Sequence, residues 1–270
     1  MVENITEQMM GDLRRVAHLL ADAARPVTLE YFRKPGLATD NKDAVGGFDP
    51  VTVADRAAEK AMREILKRER PDDGILGEEF GAQPGSTGLT WVLDPIDGTR
   101  GYISGTPTWG VLIAVGTEDG PLLGVVDQPY IRERFVGGFG DAHVQGPSGT
   151  AKLKTCAPRK LSQATLLTTF PEVGTEIEAS AFHAVSKRAQ LTRYGMDCYG
   201  YALLAAGQVD LVIEAGLKAY DIQGPQAVVE AAGGIVTNWQ GGAAHNGGQV
   251  IAAANPEIHQ EALALLNLRT

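Results

Sequence analysis

The sequence predicts a layered α/β (α+β) fold, and three observations carry that prediction. Apolar residues keep helical spacing near the start, from Ile5 through Met9, Leu13, Val16 and Leu20 to Ala24. Short apolar strands follow from residue 74, and the turn T-E-D-G-P at 117–121 joins two of them as a hairpin. Past residue 160, strand-like and helical stretches alternate to the end. The first half is therefore expected to be rich in antiparallel strands and the second half more wound.

The first helix is expected from about Asn4, and Pro26 should end or kink it, because proline lacks the amide proton an inner turn uses. Residues 34–50, Lys42 and Asp43 among them, form a polar, Gly-rich loop of the kind that often carries function. A second helix starts at Thr52, where T-V-A-D is a capping box with Asp in place of Glu, and runs to about Arg68. Strands are expected at Gly74–Leu76, Trp91–Leu93, Trp109–Gly116, Leu122–Asp127, Glu133–Gly137 and His143–Gln145. The Gly/Pro/Ser stretch near 146–149 then divides the chain into subdomains 1–146 and 147–270. The second contains a strand at Thr165–Phe170, helices at Glu178–Ala189 and Tyr199–Ala206, and a strand at Asp210–Glu214. Helix Gln223–Ala232 should start near Gly224, since Pro225 is tolerated only in a first turn. Strands Ile235–Trp239 and Val250–Ala253 and helix Pro256–Leu266 complete it.

Composition narrows the function. With 44% hydrophobic and 21% charged residues over 270 positions, the chain has ample apolar material for a core and reads as an ordinary soluble protein. A net charge of −9 argues against a general nucleic-acid binder, which needs a basic stripe. No apolar run approaches the ~20 residues that span a bilayer, and M-V-E-N-I-T-E-Q has no basic and apolar signal regions. Two cysteines in no metal-like spacing fit a reduced, cytoplasmic setting.

The chemistry concentrates in W-V-L-D-P-I-D-G-T, Trp91 to Thr99. A buried strand runs straight into Asp94 and Asp97, then a Gly and a hydroxyl. Pro95 biases Asp94 toward extended backbone, and Gly98 permits the tight turn that follows. Two acids at a buried strand end repel unless something positive sits between them, and oxygen-only ligands suit a hard cation such as Mg2+. Glu78 of G-E-E also sits at a strand end, Asp55 in the first turn of a helix, and Asp221 of K-A-Y-D at a helix start. Taken singly, Asp55 and Asp221 have an ordinary explanation, since acids favour helix N-termini.

In combination, D-P-V-T-V-A-D (49–55), G-E-E (77–79), W-V-L-D-P-I-D-G-T (91–99) and Y-D followed by E-A-A-G-G (220–234) resemble the inositol monophosphatase family of Mg2+-dependent phosphatases, over almost the whole chain. The resemblance implies a layered α/β/α/β/α sandwich, two or three Mg2+ ions and a small phosphorylated substrate. It implies that Glu78, Asp94, Thr99 and the Ile96 carbonyl surround one ion and that Asp94, Asp97 and Asp221 hold a second. A third, weaker ion would touch Glu78, with Asp55 nearby. Glu78, Thr99 and Asp55 would order the attacking water, and the amides of Gly98 and Thr99 would open a helix able to cradle the phosphate. A homodimer is also implied, and the apolar meander would be a reasonable interface.

The segments R-G-Y-I-S-G-T-P-T-W-G (100–110) and D-C-Y-G-Y-A-L-L-A-A-G-Q-V-D-L-V-I-E (197–214) look like the histidinol-phosphatase branch of that family. Histidinol phosphate carries an ammonium and an imidazole, so carboxylates at Asp197 and Glu214 would favour it by roughly 1–3 kcal/mol over a neutral polyol. Asp197 also reads as an N-cap for the following helix, and the two roles are compatible. Arg193 could neutralise the substrate's phosphate or pair with a surface acid. The resemblance also admits an inositol-1-phosphate or broad sugar-phosphate phosphatase, and, in another class, an inactive binding or regulatory homologue. Trp109 reads as core, and the five histidines show no ligand spacing.

Overall fold

The computed structural model describes residues 5–34, 39–41 and 50–268; Lys42, Asp43 and most of the loop around them lie outside the described residues. In the first half the elements are α1 (Glu7–Tyr31), β1 (Thr39–Asn41), β2 (Pro50–Thr52), α2 (Val53–Glu69), β3 (Gly74–Gly77), β4 (Gly81–Gln83), β5 (Thr90–Asp97), α3 (Thr99–Ser104), β6 (Gly110–Thr117), β7 (Gly120–Gln128), β8 (Glu133–Gly138), β9 (Asp141–Gly146) and β10 (Gly149–Lys152). A 3-10 turn at Leu161–Gln163 leads into β11 (Thr165–Thr168), α4 (Glu176–Ser186), β12 (Leu191–Tyr194), α5 (Asp197–Ala205), β13 (Leu211–Leu217), α6 (Ala219–Ala231), β14 (Ile235–Asn238), β15 (Gly248–Ala253) and α7 (Pro256–Leu266).

Among the described residues the strands form a small ribbon, β1–β2, and two larger sheets. The first runs β10-β9-β8-β7-β6-β5-β3-β4 and is antiparallel apart from the β3–β5 pair. The second runs β12-β11-β13-β15-β14, parallel through β13 and antiparallel beyond it. Helices α1 and α2 cover one face of the first sheet through Leu13, Leu20, Met62, Trp91 and Val111. Helices α5 and α6 lie between the sheets, with Tyr201, Val228, Leu112 and Val212 in a shared core. Helices α4 and α7 cover the outer face of the second sheet through Phe182, Ile258 and Leu211. The order of layers is α/β/α/β/α.

Several expectations need correction. Helix α1 does not end at Pro26 but runs through it to Tyr31. Its buried stripe continues past the proline to Thr28, and Pro26 itself is exposed, so packing outweighs one missing backbone bond. Helix α6 begins at Ala219, not near Gly224. It lies so close on β6 and β7 that a Cβ at Gly124 would overlap the Gly224 carbonyl, so the turns around Pro225 pack tightly on the sheet. The 146–149 stretch turns one strand back on its neighbour, so the first sheet extends to Lys152. Within the meander, Val111–Val115 of β6 and Leu123, Val125 and Val126 of β7 are buried inside the chain.

Candidate active site

Strand β5 sets the geometry. Its pairing with β6 shifts register between Asp94 and Asp97, a bulge of the kind that re-aims side chains beside sites. Pro95 and Ile96 fill the bulge, and the Ile96 amide donates to Asp94 Oδ1 at 3.0 Å. Gly98 then adopts φ 81°, ψ 40°, a left-handed conformation open to glycine, and α3 starts at Thr99. The Thr99 hydroxyl donates to the Ile96 carbonyl at 3.1 Å, so its lone pairs are left for a ligand. Asp221 sits in the first turn of α6, where its Oδ2 accepts the Lys218 amide at 2.6 Å.

These elements converge. Asp94, Asp97 and Asp221 each offer one oxygen within 4.8 Å of the others. With Glu78, Ile96, Gly98 and Thr99 they line a cavity of about 370 Å³ between the two halves. Burial, then Glu78, Asp97 and Asp221, push the Asp94 carboxyl well above the usual carboxylate range. Burial, then Asp197 and Asp221, do the same to Asp97. Asp221 is pushed up to about 7, chiefly by burial, against the pull of the Lys218 amide. An oxygen-only cluster of this kind fits a hard divalent cation, which would reverse each of these shifts.

Asp55 is fully buried on α2, near enough to Glu78 for their charges to interact. The capping box is formed: Asp55 Oδ2 accepts the Thr52 amide at 2.8 Å and hydroxyl at 2.5 Å. Its Oδ1 is buried with no hydrogen-bond partner among the described residues. Burial raises the group to about 6 despite the Thr52 bonds, and Glu78 adds to the rise.

The opposite wall comes from α5, β11 and β13. Glu214 accepts the Thr169 hydroxyl at 2.6 Å and amide at 3.1 Å, both on Oε1. Burial pushes it up to about 7. Asp197 lines the same cavity and accepts the Thr108 hydroxyl on Oδ2 at 3.0 Å. It is not an N-cap: Met196 holds that position, and Asp197 is the first residue of α5 with φ 47°. The orphan amide in that first turn, that of Cys198, donates instead to Asp97 Oδ2 at 2.7 Å.

Arg193 falls outside. It is exposed on β12, an edge strand, and does not line the cavity. The guanidinium in the cavity belongs to Arg100, at the start of α3, which stacks 4.7 Å from the Phe170 ring centroid. The sequence alone does not single out Arg100, Phe170, Thr108 or Thr169 as site residues, and of these Arg100 carries a signal in its adjacency to D-G-T. Trp109 is core, packed on Phe32 and Tyr102.

The model of the inositol monophosphatase family, described by that name, matches residues 9–268. The chain belongs to the inositol monophosphatase family. It is thus a phosphatase of a metal-dependent family, and the layered fold is the family's own. It is 41% identical over 263 residues to the bifunctional phosphatase IMPL2, chloroplastic, of Arabidopsis thaliana, covering 93% of this chain and 74% of that protein. It is 34% identical over 265 residues to the histidinol-phosphatase of Mycobacterium tuberculosis, covering 96% and 99%. An inositol monophosphatase structure from Zymomonas mobilis superposes with a TM-score of 0.85 at 38% identity, covering 98% of this chain and 100% of that one.

Proposed function

We propose that the chain is a Mg2+-dependent phosphomonoesterase that hydrolyses L-histidinol phosphate. The observation that carries the metal half is the convergence of Asp94, Asp97 and Asp221 within 4.8 Å, each with its carboxyl raised by burial and like charge. Glu78, Asp94, Thr99 and the Ile96 carbonyl would hold one ion, and Asp94, Asp97 and Asp221 a second, with Asp55 near a third beside Glu78. Bound there, the ions would acidify the attacking water and offset charge on the phosphate and leaving alkoxide. Glu78 and Thr99 would orient that water for in-line attack, and Asp55 would help order it. Gly98 and Thr99 amides would receive the phosphate at the start of α3.

Substrate choice rests on the other wall. Thr108 engages Oδ2 of Asp197 and Thr169 engages Oε1 of Glu214, so both carboxylates are held where they line the cavity, with the Arg100 guanidinium acting on Asp197. Two acids in one cavity favour a cationic amine over an uncharged polyol. The likeness to the Mycobacterium tuberculosis histidinol-phosphatase supports this reading. A second reading, inositol-1-phosphate or broad sugar-phosphate hydrolysis, draws on the 38% identity to the Zymomonas mobilis inositol monophosphatase. Phosphate release from L-histidinol phosphate beside myo-inositol 1-phosphate, with Mg2+ and with EDTA, separates them. The proposal expects a strong preference for histidinol phosphate, abolished by EDTA; equal or reversed rates would remove the substrate assignment, and EDTA-resistant turnover the metal assignment.

A further inference from the structure

We propose that Glu59 is a positioning residue that sets the metal affinity of Glu78, an inference that rests on the ligand set proposed above. Glu59 is fully buried on α2, one helical turn after Asp55. A buried carboxylate needs partners, and among the described residues Glu59 accepts three hydrogen bonds, two of them from the backbone immediately after Glu78. Oε2 accepts the Glu79 amide at 2.7 Å and Oε1 accepts the Phe80 amide at 3.3 Å. The remaining bond is to Arg63, one turn further along α2, whose Nε donates to Oε1 at 2.8 Å. Arg63 extends the grip: its Nη2 donates to the Gly81 carbonyl at 2.6 Å, and its guanidinium lies 5.9 Å from the Phe80 ring centroid.

Residues 79, 80 and 81 are thus held from α2, while the Glu78 amide donates to Leu93 of β5 at 3.1 Å. Gly77 completes the clamp, since a Cβ there would overlap the Glu59 carboxylate. Glu78 is therefore fixed from both sides, by the sheet through its own amide and by Glu59 through the next two. An ionised carboxylate can receive all three donors; a glutamine of the same shape has one oxygen and turns an N–H2 toward N–H groups. Freeing the chain after Glu78 leaves the ligand present and loosely aimed, the kind of loss that weakens metal sites by 10–100-fold.

The test compares wild type, Glu59→Gln, Arg63→Met and Glu78→Gln as full-length chains stripped of metal. Mg2+ affinity is read by calorimetric titration, half-saturating Mg2+ from phosphate release, and the metal-free melting temperature from circular dichroism. Glu59→Gln should weaken Mg2+ binding by about tenfold, with turnover recovering at saturating Mg2+. Arg63→Met should move affinity the same way by less, and it carries the test if Glu59→Gln does not fold. A merely structural Glu59 would lower the melting temperature and leave Mg2+ affinity unchanged, and that result overturns the inference. If Glu78→Gln also leaves Mg2+ binding unchanged, the proposed ligand set has failed and the inference with it.

Discussion

The two walls of the cavity carry acids in different circumstances. On the wall built by β5 and the start of α6, acids face acids: Asp94 is raised by burial and then by Glu78, Asp97 and Asp221. On the wall built by β11, β13 and α5, each acid has a threonine hydroxyl, Thr169 on Glu214 and Thr108 on Asp197. Acids on both walls accept hydrogen bonds and are raised by burial, but among the described residues it is the first wall that brings three carboxylates within 4.8 Å, the arrangement a cation would relieve. Both walls use the same backbone device. Register shifts fall between Asp94 and Asp97 in β5 and between Glu214 and Leu217 in β13, so a bulge lies beside Asp94 and Asp97 on one wall and beside Glu214 on the other.

The largest expected effect breaks the first wall. Asp94→Asn should lower kcat/KM by at least about 10³-fold, because several kcal/mol of transition-state charge stabilisation depend on the metal cluster. The same change removes like-charge repulsion, so the metal-free melting temperature should hold or rise. A fall in both would mean that Asp94 is structural.

The next effect is a pH dependence. Asp221 and Glu214 stand near 7 and Asp55 near 6, all above their unfolded values. The native metal-free protein therefore keeps protons that the unfolded chain has released, and this contribution is fully present below about pH 4. It is lost as the pH rises to about 7. Melting curves in EDTA should show stability falling across that window, and Mg2+ should offset the fall most strongly at its upper end. A metal-free protein that gains stability from about pH 4 to 7 would contradict the account.

The second wall predicts smaller changes. Asp197→Asn should cut kcat/KM for histidinol phosphate by about tenfold, from roughly 1–3 kcal/mol for a charge-assisted bond, and leave myo-inositol 1-phosphate nearly unaffected. Thr169→Val removes one neutral-to-charged hydrogen bond at Glu214. It should lower histidinol phosphate turnover about fivefold, equivalent to about 1 kcal/mol, as measured by initial rates at low substrate.

Legibility in the sequence followed the same division. The first wall is local: Asp94, Asp97 and Thr99 lie in one nine-residue strand and turn, and Glu78 and Asp221 stand at element ends that periodicity locates. The layered fold followed from strand and helix patterning plus the resemblance those motifs carry. The second wall is assembled by tertiary packing, so no local periodicity brings Thr108 to Asp197 or Thr169 to Glu214, and nothing in the sequence says that Arg100 lines the cavity where Arg193 does not. Pro26 and Pro225 misled for one reason: each reads as a breaker locally, and in each case the helix is held by what it packs against. Asp197 was legible as a polar residue at a helix start, but its left-handed backbone and its bond to Thr108 were not. Glu59 did leave a signal, the D-x-x-x-E-x-x-x-R ladder on α2, with an acid one turn from Asp55 on the buried side.

The most direct test of a chemical wall facing a selective wall is the ratio of kcat/KM for L-histidinol phosphate over myo-inositol 1-phosphate, measured in wild type and in Asp197→Asn with Glu214→Gln. The account predicts that the double variant collapses the ratio by lowering histidinol phosphate turnover, with inositol phosphate turnover and half-saturating Mg2+ little changed. An equal fall for both substrates, with the ratio intact, would contradict it and place Asp197 and Glu214 in the common machinery of hydrolysis.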